Sequence, residues 1–477
     1  MIVSRESNLA KNTIIITIGK VCTQLVSFFL LPLYTAILST EDYGVVDLLN
    51  TLVALLLPIF TLQIDQALFR ELVEVRDNES KTAEVVRTGI ISIVIQVIIY
   101  LCIFVLVSPW IHNKYKLFLA SNVLVNAMLG VFLQIARGFG KNKYYAVASF
   151  LSASLTIVFN LFFLVGFKLG ATGMLVATLL GQLLAAIYLV LALHIVYYFK
   201  AGRCNREVLV KLLKYSIPLI PNAISWWIID ASDRVIVSSF LGVAQNGILA
   251  ASLKFAALLT GLNYITTLSW TESIAVAIND ADIESYFNRM INVFLRFYVA
   301  LTIGMIACMP FVFPILINAK YQAGYGLVPI SLLATLFNVV VGLVSVVYVA
   351  KKNTKAIAQT SVMAAINISI HLLLINRIGL YAAVLSSFIA FFSMSVLRII
   401  DIRKKGYIKI KIDISLITST CLALLVVLMT YYFDIVWLHI IALIIAILFA
   451  IGINKHTFAT IINLVLSKLR RNSNEKQ

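Results

Sequence analysis

Acidic, basic and aromatic side chains meet in one otherwise apolar stretch of the sequence, residues 215–241. Asp230 precedes Arg234 by four residues, which on a helix is the favourable order for an ion pair. That pairing would leave Asp233 unpaired or able to meet Lys254 in the next apolar stretch. The segment therefore indicates either a self-neutralised helix or a site for a coupling cation or a switching salt bridge, with Asp230 and Asp233 as its carboxylates.

A second polar pattern lies near the N-terminus, inside residues 12–37. Its members recur at spacings of three and four residues, as one face of a helix requires. They are Thr13, Thr17, Lys20, Gln24 and Ser27. We expect Lys20 and Gln24 to line a hydrated face, because an ionisable group at membrane depth costs about 2.5–3.5 kcal/mol on insertion scales. The alternative is a lysine that extends its ammonium to the membrane surface.

Amides and one more arginine follow helical spacing further along the chain. Asn122, Asn126, Gln134 and Arg137 share one predicted helix face. Such groups can bind a hydroxylated ligand, or they can join neighbouring helices by about 0.6 kcal/mol each. His371 has no second ligand nearby in the sequence, so we interpret it as packing or cavity lining rather than as a metal ligand.

The elements that position these residues are membrane spans. Of the 477 residues, 61% are hydrophobic and only 12% are charged, and the mean hydropathy is +0.99. A soluble domain is nearer half apolar and a quarter charged. A span needs about 20 mostly apolar residues. That length predicts fourteen helices, at 12–37, 45–69, 88–109, 117–137, 145–168, 171–198, 215–241, 246–270, 291–317, 326–350, 356–376, 380–400, 414–433 and 435–454.

The distribution of basic residues predicts the orientation. With the N-terminus inside and the sides alternating, most of the 38 Lys and Arg residues fall in inside connectors. Basic residues concentrate on the cytoplasmic side of membrane proteins. We therefore expect both termini to be cytoplasmic. The formal net charge of +17 is dispersed over short connectors, so nucleic acid is not an expected partner.

Two halves of the sequence share an order of features that predicts an internal repeat. The interval from Lys11 to Gly44 equals that from Lys214 to Gly247, and similar basic and glycine-rich connectors follow in each half. Six spans per half is an even number, so both halves enter the membrane in the same direction. The prediction is an all-α integral membrane fold with two parallel six-helix lobes, at 1–199 and 200–400. An appended helix pair with a basic tail follows at 401–477.

Several classes of chemistry lack their motifs. The sequence has no GxxxxGK[ST] loop, and its five cysteines are far apart without a CxxC or His/Cys cluster. The predicted outside loops are too short to hold a catalytic domain. We expect a transporter rather than an enzyme, with no cofactor and no bound metal. The sequence leaves open whether a proton or Na⁺ gradient drives the cycle.

Three segments resemble a known family. They are Leu31–Leu48 (LPLYTAILSTEDYGVVDL), Lys214–Gly242 (KYSIPLIPNAISWWIIDASDRVIVSSFLG) and Ala365–Ser387 (AINISIHLLLINRIGLYAAVLSS). They are similar to the bacterial O-antigen and polysaccharide (Wzx-type) flippases of the multidrug/oligosaccharidyl-lipid/polysaccharide exporter superfamily, over roughly residues 5–400. The resemblance implies a MATE-like fold. Many such flippases have twelve spans, and the fourteen predicted here also resemble the lipid-linked peptidoglycan-precursor flippases.

The resemblance implies a function in the bacterial inner membrane. The expected substrate is an undecaprenyl-pyrophosphate-linked oligosaccharide, flipped for O-antigen, capsule or exopolysaccharide assembly. Membrane lipids and other assembly proteins are the expected partners. For such an anion, Lys20 would receive the pyrophosphate in the inner half of the first lobe, and Arg234 and Lys254 would hold it in the outer half of the second. Gln24, Asn126 and Arg137 are further candidate contacts.

Two alternatives stay open. A cation-coupled multidrug exporter of the same superfamily would use Asp230 or Asp233 as its cation site and would need a more apolar pocket. A membrane-bound glycan polymerase or ligase is the other, and the short outside loops disfavour it.

Overall fold

The computed structural model describes residues 28–110, 113–351, 353, 355–411, 413–433 and 435–474. Within these ranges the chain forms helices and turns and no strand. Twelve of the described helices are long and apolar enough to cross a membrane. The predicted all-α membrane architecture is confirmed, and the chain is a multi-pass membrane protein.

The helices follow one another with short connections. In chain order they are α1 (Leu31–Ile37), α2 (Thr40–Phe60), α3 (Ile64–Val75), α4 (Glu79–Val107), α5 (Lys116–Gly138), α6 (Asn142–Asn160), α7 (Gly170–Ala192), α8 (Ile195–Ala201), α9 (Arg206–Ser216), α10 (Ile220–Phe240), α11 (Val243–Ala277), α12 (Ile283–Leu316), α13 (Val328–Ala350), α14 (Lys355–Ile378), α15 (Tyr381–Lys404), α16 (Ile414–Tyr432) and α17 (Val436–Asn474).

Two of the fourteen predicted spans are not among the twelve apolar helices. The predicted span 12–37 lies mostly outside the described residues. The predicted span 215–241 corresponds to α10, a helix of 21 residues whose three charged side chains set it apart from the apolar ones. The number fourteen therefore stays a prediction.

One predicted span ends early. The predicted helix 45–69 stops at Phe60, because Leu62 and Gln63 adopt left-handed backbone conformations with φ of +50° and +56°. A helix cannot continue through two such residues. A separate amphipathic helix, α3, follows. Leu68 and Leu72 lie on its apolar face and are buried.

The chain divides into two compact units. The first comprises residues 1–254 and 360–383, and the second comprises 255–359 and 384–477. In the first unit, α2 packs against α10, and a large apolar core joins α3, α4, α5 and α7. In the second unit, α12 packs against α13, α16 and α17. The division into lobes at 1–199, 200–400 and 401–477 stays a prediction.

Candidate functional site

Helix α10 is the centre of a polar cluster in the first unit. A proline in its first turn, Pro221, suits a helix start, where its missing N–H group has no partner to lose. The indole Nε1 of Trp227 donates a hydrogen bond to the backbone oxygen of Thr51 on α2, at 2.9 Å. The hydroxyls of Ser225 and Ser361 lie 2.9 Å apart and join α10 to α14. These bonds fix α10 between two other helices of the same unit.

The side chain of Arg234 forms an ion pair with α2. Its Nε lies 3.0 Å from Oδ2 of Asp47, and both side chains are 20% exposed. The guanidinium also donates to the backbone oxygen of Asp230 at 2.9 Å. The predicted pairing of Arg234 with the Asp230 carboxylate is therefore wrong. A pair within one helix contributes only about 0.2–0.5 kcal/mol, and packing of α2 beside α10 offers a less exposed carboxylate instead.

Two glycines bring α2 and α11 into backbone contact beside this ion pair. A Cβ atom at Gly44 would overlap the carbonyl oxygen of Val243 and lie 2.8 Å from the nitrogen of Gly247. A Cβ atom at Gly247 would overlap the carbonyl oxygen of Thr40. Small residues permit such close crossings of membrane helices.

A buried amide secures the same crossing. The Nδ2 of Asn246, which is fully buried, donates to the backbone oxygen of Gly44 at 3.0 Å and lies 3.4 Å from Oδ2 of Asp47. We call Gly44, Asp47, Arg234, Asn246 and Gly247 the α2–α11 clasp. It combines one ion pair, one hydrogen bond donated by a side-chain amide and one backbone contact, all at the same height along the helices.

The other face of α10 carries a second pair. The Oδ1 of Asp233 lies 2.7 Å from Nδ1 of His371 on α14. The His371 side chain is 0% exposed and that of Asp233 is 9% exposed. The prediction that Asp233 is unpaired, or pairs with Lys254, is wrong because α14, rather than α11, lies against this face. The sequence indicated packing or cavity lining for His371 and did not predict Asp233 as its partner.

Lys254 lies on α11 at the edge of the clasp. Its ammonium experiences the charges of Asp47 and Arg234. Among the described residues it forms no hydrogen bond and no ion pair, although it is partly buried. A cation in this state can bind an anion without first releasing another partner.

Asp230 is the second of the two candidate carboxylates on α10. It lies one turn before Asp233 on α10, and its side chain is exposed, unlike that of Asp233. The two predicted carboxylates therefore differ in environment. Asp230 lies on the exposed surface of α10, and Asp233 is held in a buried pair.

Two other predicted contacts have partners among α3, α5, α6 and α7. Arg137 stacks over the ring of Phe69 at 4.4 Å and donates to Oε1 of Gln134 at 3.0 Å. Asn126 donates to Oε1 of Gln182 at 2.8 Å. None of these partners belongs to α10 or to the α2–α11 clasp. Lys20 and Gln24 lie outside the described residues.

The second unit contains an apolar groove of about 440 Å³. It lies among α12, α13, α15 and α16, and its lining includes Val299, Leu336, Val344, Phe392, Leu416 and Leu424. Part of the predicted appended helix pair, α16, therefore forms one wall of a groove.

An ion pair lies beside that groove, where Arg296 Nη2 is 3.0 Å from Asp413 Oδ2. Asp413 also caps α16 by accepting a hydrogen bond from the backbone N–H of Leu416 at 3.1 Å. That backbone bond, followed by the bond from Arg296, lowers the pKa of the Asp413 carboxyl.

Sequence reasoning did not single out Asp47 or Asn246. Asp47 was detectable, because a carboxylate inside a predicted span is unusual enough to mark a functional position. Asn246 carried no such signal, since an amide beside a predicted turn is common.

In the described residues, no group of three or more His, Cys, Asp and Glu side chains is placed to hold a metal ion.

Comparison with known proteins gives the family. Residues 9–271 match the family described as polysaccharide biosynthesis protein. No curated protein matches the sequence. Among solved structures, the lipid II flippase MurJ in an inward closed conformation is similar at TM-score 0.72 and 14% identity, covering 94% of this chain and 100% of that one. An inward-facing multidrug resistance MATE transporter of the MOP superfamily is similar at TM-score 0.61 and 13% identity, covering 81% and 98%.

A third similar structure is a MOP superfamily transporter from Pyrococcus furiosus, at TM-score 0.54 and 14% identity, covering 82% of this chain and 96% of that one. These likenesses establish the MATE-like and MurJ-like fold. The family match covers more than half of the chain, so the protein belongs to the polysaccharide biosynthesis protein family. The resemblance inferred from the three sequence segments is confirmed.

Proposed function

We propose that this member of the polysaccharide biosynthesis family is a flippase for undecaprenyl-pyrophosphate-linked oligosaccharides. It would move repeat units across the bacterial cytoplasmic membrane by alternating access, for O-antigen, capsule or exopolysaccharide assembly. The family match and the fold shared with a lipid II flippase support this function. Both termini would be cytoplasmic, and other assembly proteins would take up the product.

The proposal is supported mainly by the burial of the Lys254 ammonium and by its lack of a partner among the described residues. The ammonium is partly buried within a membrane span and has neither a hydrogen bond nor an ion pair among the described residues. A charge at this depth is costly unless a partner compensates it. A pyrophosphate provides that compensation, since it brings concentrated negative charge to a site that Lys serves as a point charge.

Arg234 would be the second phosphate ligand. Its guanidinium is now held by Asp47 at 3.0 Å. Separation of α2 from α10 would release the guanidinium, whose planar donors suit two phosphate oxygens at once. The pyrophosphate would then replace Asp47 as the partner of Arg234, so that anion binding and opening of the α2–α11 clasp favour each other.

The lipid part of the substrate needs a different surface. The apolar groove of the second unit offers about 440 Å³ between helices that are long and apolar enough to cross a membrane. Isoprenoid methyl and methylene groups would be held there by van der Waals packing, because lipid tails are as apolar as the groove and provide no hydrophobic driving force. Its wall on α16 gives the appended helix pair a role in holding the lipid.

A multidrug exporter is the second candidate function. The fold is shared with multidrug MATE transporters, and the exposed carboxylate of Asp230 could attract an organic cation. The unpaired cation at Lys254 would repel the same ligand. The flippase is therefore favoured over the exporter.

A deletion strain tests the two functions against each other. Without a flippase, lipid-linked repeat units accumulate in the inner leaflet and surface glycan is lost, and the plasmid-borne chain restores both. Without an exporter, drug sensitivity changes while the glycan profile stays normal. A normal glycan profile in the deletion strain would contradict the proposed function.

A further inference from the structure

The apolar groove of the second unit has one polar end. Most of its lining is aliphatic or aromatic, and its charged residues, Lys411 and Asp413, belong to the segment that leads into α16. A polar cavity of about 380 Å³, whose lining includes Arg296 and Lys455, adjoins this end and shares Asp413 and Leu416 with the groove. An apolar groove that ends at a polar cavity suits an amphiphile, a molecule with a charged head and an apolar tail.

We propose that this end of the groove is a loading site for a pyrophosphate lipid of the inner leaflet. Lys411 and Lys455 bind the head, and the groove holds the first part of the tail. The identity of the lipid rests on the proposed flippase function, whereas the chemistry of the site, a doubly negative head on an apolar tail, rests on the second unit alone. The site is separate from Lys254, which belongs to the first unit.

Contacts of Arg296 place the two lysines at one level. The Nη2 of Arg296 lies 3.0 Å from Oδ2 of Asp413, two residues after Lys411. The backbone oxygen of the same arginine accepts a hydrogen bond from Nδ2 of Asn454, the residue before Lys455, at 3.4 Å. Since α16 begins directly after Asp413, this level is the end of a membrane span. With both termini cytoplasmic, as proposed, it lies at the inner leaflet.

The groove reaches about halfway through a membrane. Its longest wall runs from Leu333 to Val344 on α13, which is about 16 Å at a rise of 1.5 Å per residue. The hydrocarbon core of a bilayer is about 30 Å thick. A groove of this length covers one leaflet, so it accepts a tail whose head stays at the nearer membrane surface.

The polar end carries two uncompensated positive charges. Arg296 and Asp413 neutralise each other in their ion pair. Among the described residues, neither the Lys411 nor the Lys455 ammonium forms a hydrogen bond or an ion pair, and both side chains are exposed. A pyrophosphate diester carries two negative charges, whereas a phospholipid such as phosphatidylglycerol carries one. Charge complementarity therefore favours the pyrophosphate lipid.

The two lysines, rather than the groove, provide the selectivity. Lipid tails are as apolar as the groove, so burial of the tail adds little driving force inside a membrane. Basic residues near a membrane surface attract anionic heads, and lysine acts on phosphate as a point charge. The groove then sets the direction in which the lipid points, and the lysines determine which lipid is held.

A buried amide holds Lys411 in place. The Nδ2 of Asn288 on α12 donates to the backbone oxygen of Lys409 at 2.8 Å, and its Oδ1 accepts a hydrogen bond from the backbone N–H of Lys411 at 2.6 Å. Asn288 is only 7% exposed. These bonds fix the segment before α16 to α12, so Lys411 is held beside the groove by the fold itself.

Protection of a native cysteine tests the site. Cys421 lines the groove and is exposed, and Cys102 on α4 of the first unit is exposed as well. The full-length protein in detergent is alkylated with and without undecaprenyl pyrophosphate, and each cysteine is followed by peptide mass spectrometry. At about ten times its Kd the lipid should slow alkylation of Cys421 about tenfold, because only the free site reacts. Alkylation of Cys102 should not change. An unchanged rate at Cys421 would overturn the inference.

Charge-matched variants separate the two lysines from net charge. Lys411→Gln/Lys455→Gln should lose the protection of Cys421. Lys404→Gln/Lys409→Gln removes as many exposed lysines from the same unit, outside the groove lining, and should keep it. The same protection in both variants would refute the assignment of the head to Lys411 and Lys455.

A second probe tests the choice of lipid on the wild type itself. Phosphatidylglycerol, with its single negative charge, should protect Cys421 much less than undecaprenyl pyrophosphate at equal concentration. Equal protection by both lipids would mean that the groove accepts any membrane lipid, and the proposed pyrophosphate site would be wrong.

Transport distinguishes this inference from the proposed function. Lys254→Gln should abolish surface-glycan recovery yet keep the protection of Cys421, because the two sites lie in different units. Loss of protection in that variant would contradict a separate loading site. Protection in the wild type, combined with a normal glycan profile in the deletion strain, would contradict the proposed function and leave the lipid site supported. Glycan recovery without any protection would overturn the loading site alone.

Discussion

Gly44 on α2 and Gly247 on α11 lie in direct backbone contact, although they belong to opposite halves of the predicted repeat. A Cβ atom on Gly44 would lie 2.8 Å from the nitrogen of Gly247. The sequence had matched these two residues because each follows a lysine at the same interval. Their contact is one of the places where the two predicted halves meet within the first unit.

Substitution of Gly247 should disfavour the closed crossing. In Gly247→Ala the new methyl group overlaps the carbonyl oxygen of Thr40, and overpacking of this kind costs about 1–3 kcal/mol. We expect at least a tenfold loss of glycan-restoring activity at normal expression. The measurement is surface-glycan recovery in the deletion strain.

A glycine with free space around it is the matched control. Gly304 on α12 has no atom within 4 Å of the position its Cβ would occupy. Gly304→Ala should therefore restore surface glycan fully. Equal activity of Gly247→Ala and wild type would show that the crossing does not limit transport.

The ion pair between Asp47 and Arg234 should show a measurable coupling energy. A double-mutant cycle with Asp47→Asn and Arg234→Gln should give about 1.5–3 kcal/mol, since the pair is charge-assisted and largely shielded from water. Thermal unfolding in detergent provides the measurement. The exposed pair of Arg70 and Glu74, at 3.5 Å, should give less than about 1 kcal/mol in the same assay. Similar values for the two pairs would contradict a special role for the clasp.

Neutralising Lys254 should abolish transport without unfolding the protein. Lys254→Ala and Lys254→Gln remove the ammonium proposed to bind pyrophosphate, and we expect activity to fall at least tenfold. Lys254→Arg keeps the charge and should retain most activity. Lys20→Ala should be inactive as well, by the sequence argument for a hydrated lysine stripe. Full glycan recovery by Lys20→Ala and by Lys254→Ala would refute the pyrophosphate site.

Acid should weaken the start of α16 through Asp413. The backbone N–H of Leu416 and the side chain of Arg296 lower the pKa of Asp413 in the folded protein. A lowered folded pKa contributes stability above the unfolded value, about 3.9, and that stability is lost as the pH falls through the folded value. Between pH 6 and pH 3, wild type should lose more melting temperature than Asp413→Asn. An identical loss in both proteins would exclude this carboxylate as a source of acid sensitivity.

Much of the fold follows from hydropathy, because each span must satisfy its own backbone and must be apolar over a fixed length. The partners inside the site do not follow in the same way. Spacing on one helix relates Asp230 to Arg234, but the sequence does not show which helix lies beside α10. The ion pair with Asp47 and the contact of Asp233 with His371 both depend on that neighbour. The sequence alone identified Lys254 as a candidate site residue, because a charged residue within an apolar run can be recognised without knowing which helix lies beside it.

The adjacent positions of Asp233 and Arg234 restrict how α10 can move. Consecutive helical residues point about 100° apart, and these two are anchored to different helices, α14 and α2. Spinning the helix about its own axis would break both anchors at once, whereas tilting it as a rod can release one and keep the other. The helix should therefore behave as a lever with a hinge on the α14 side.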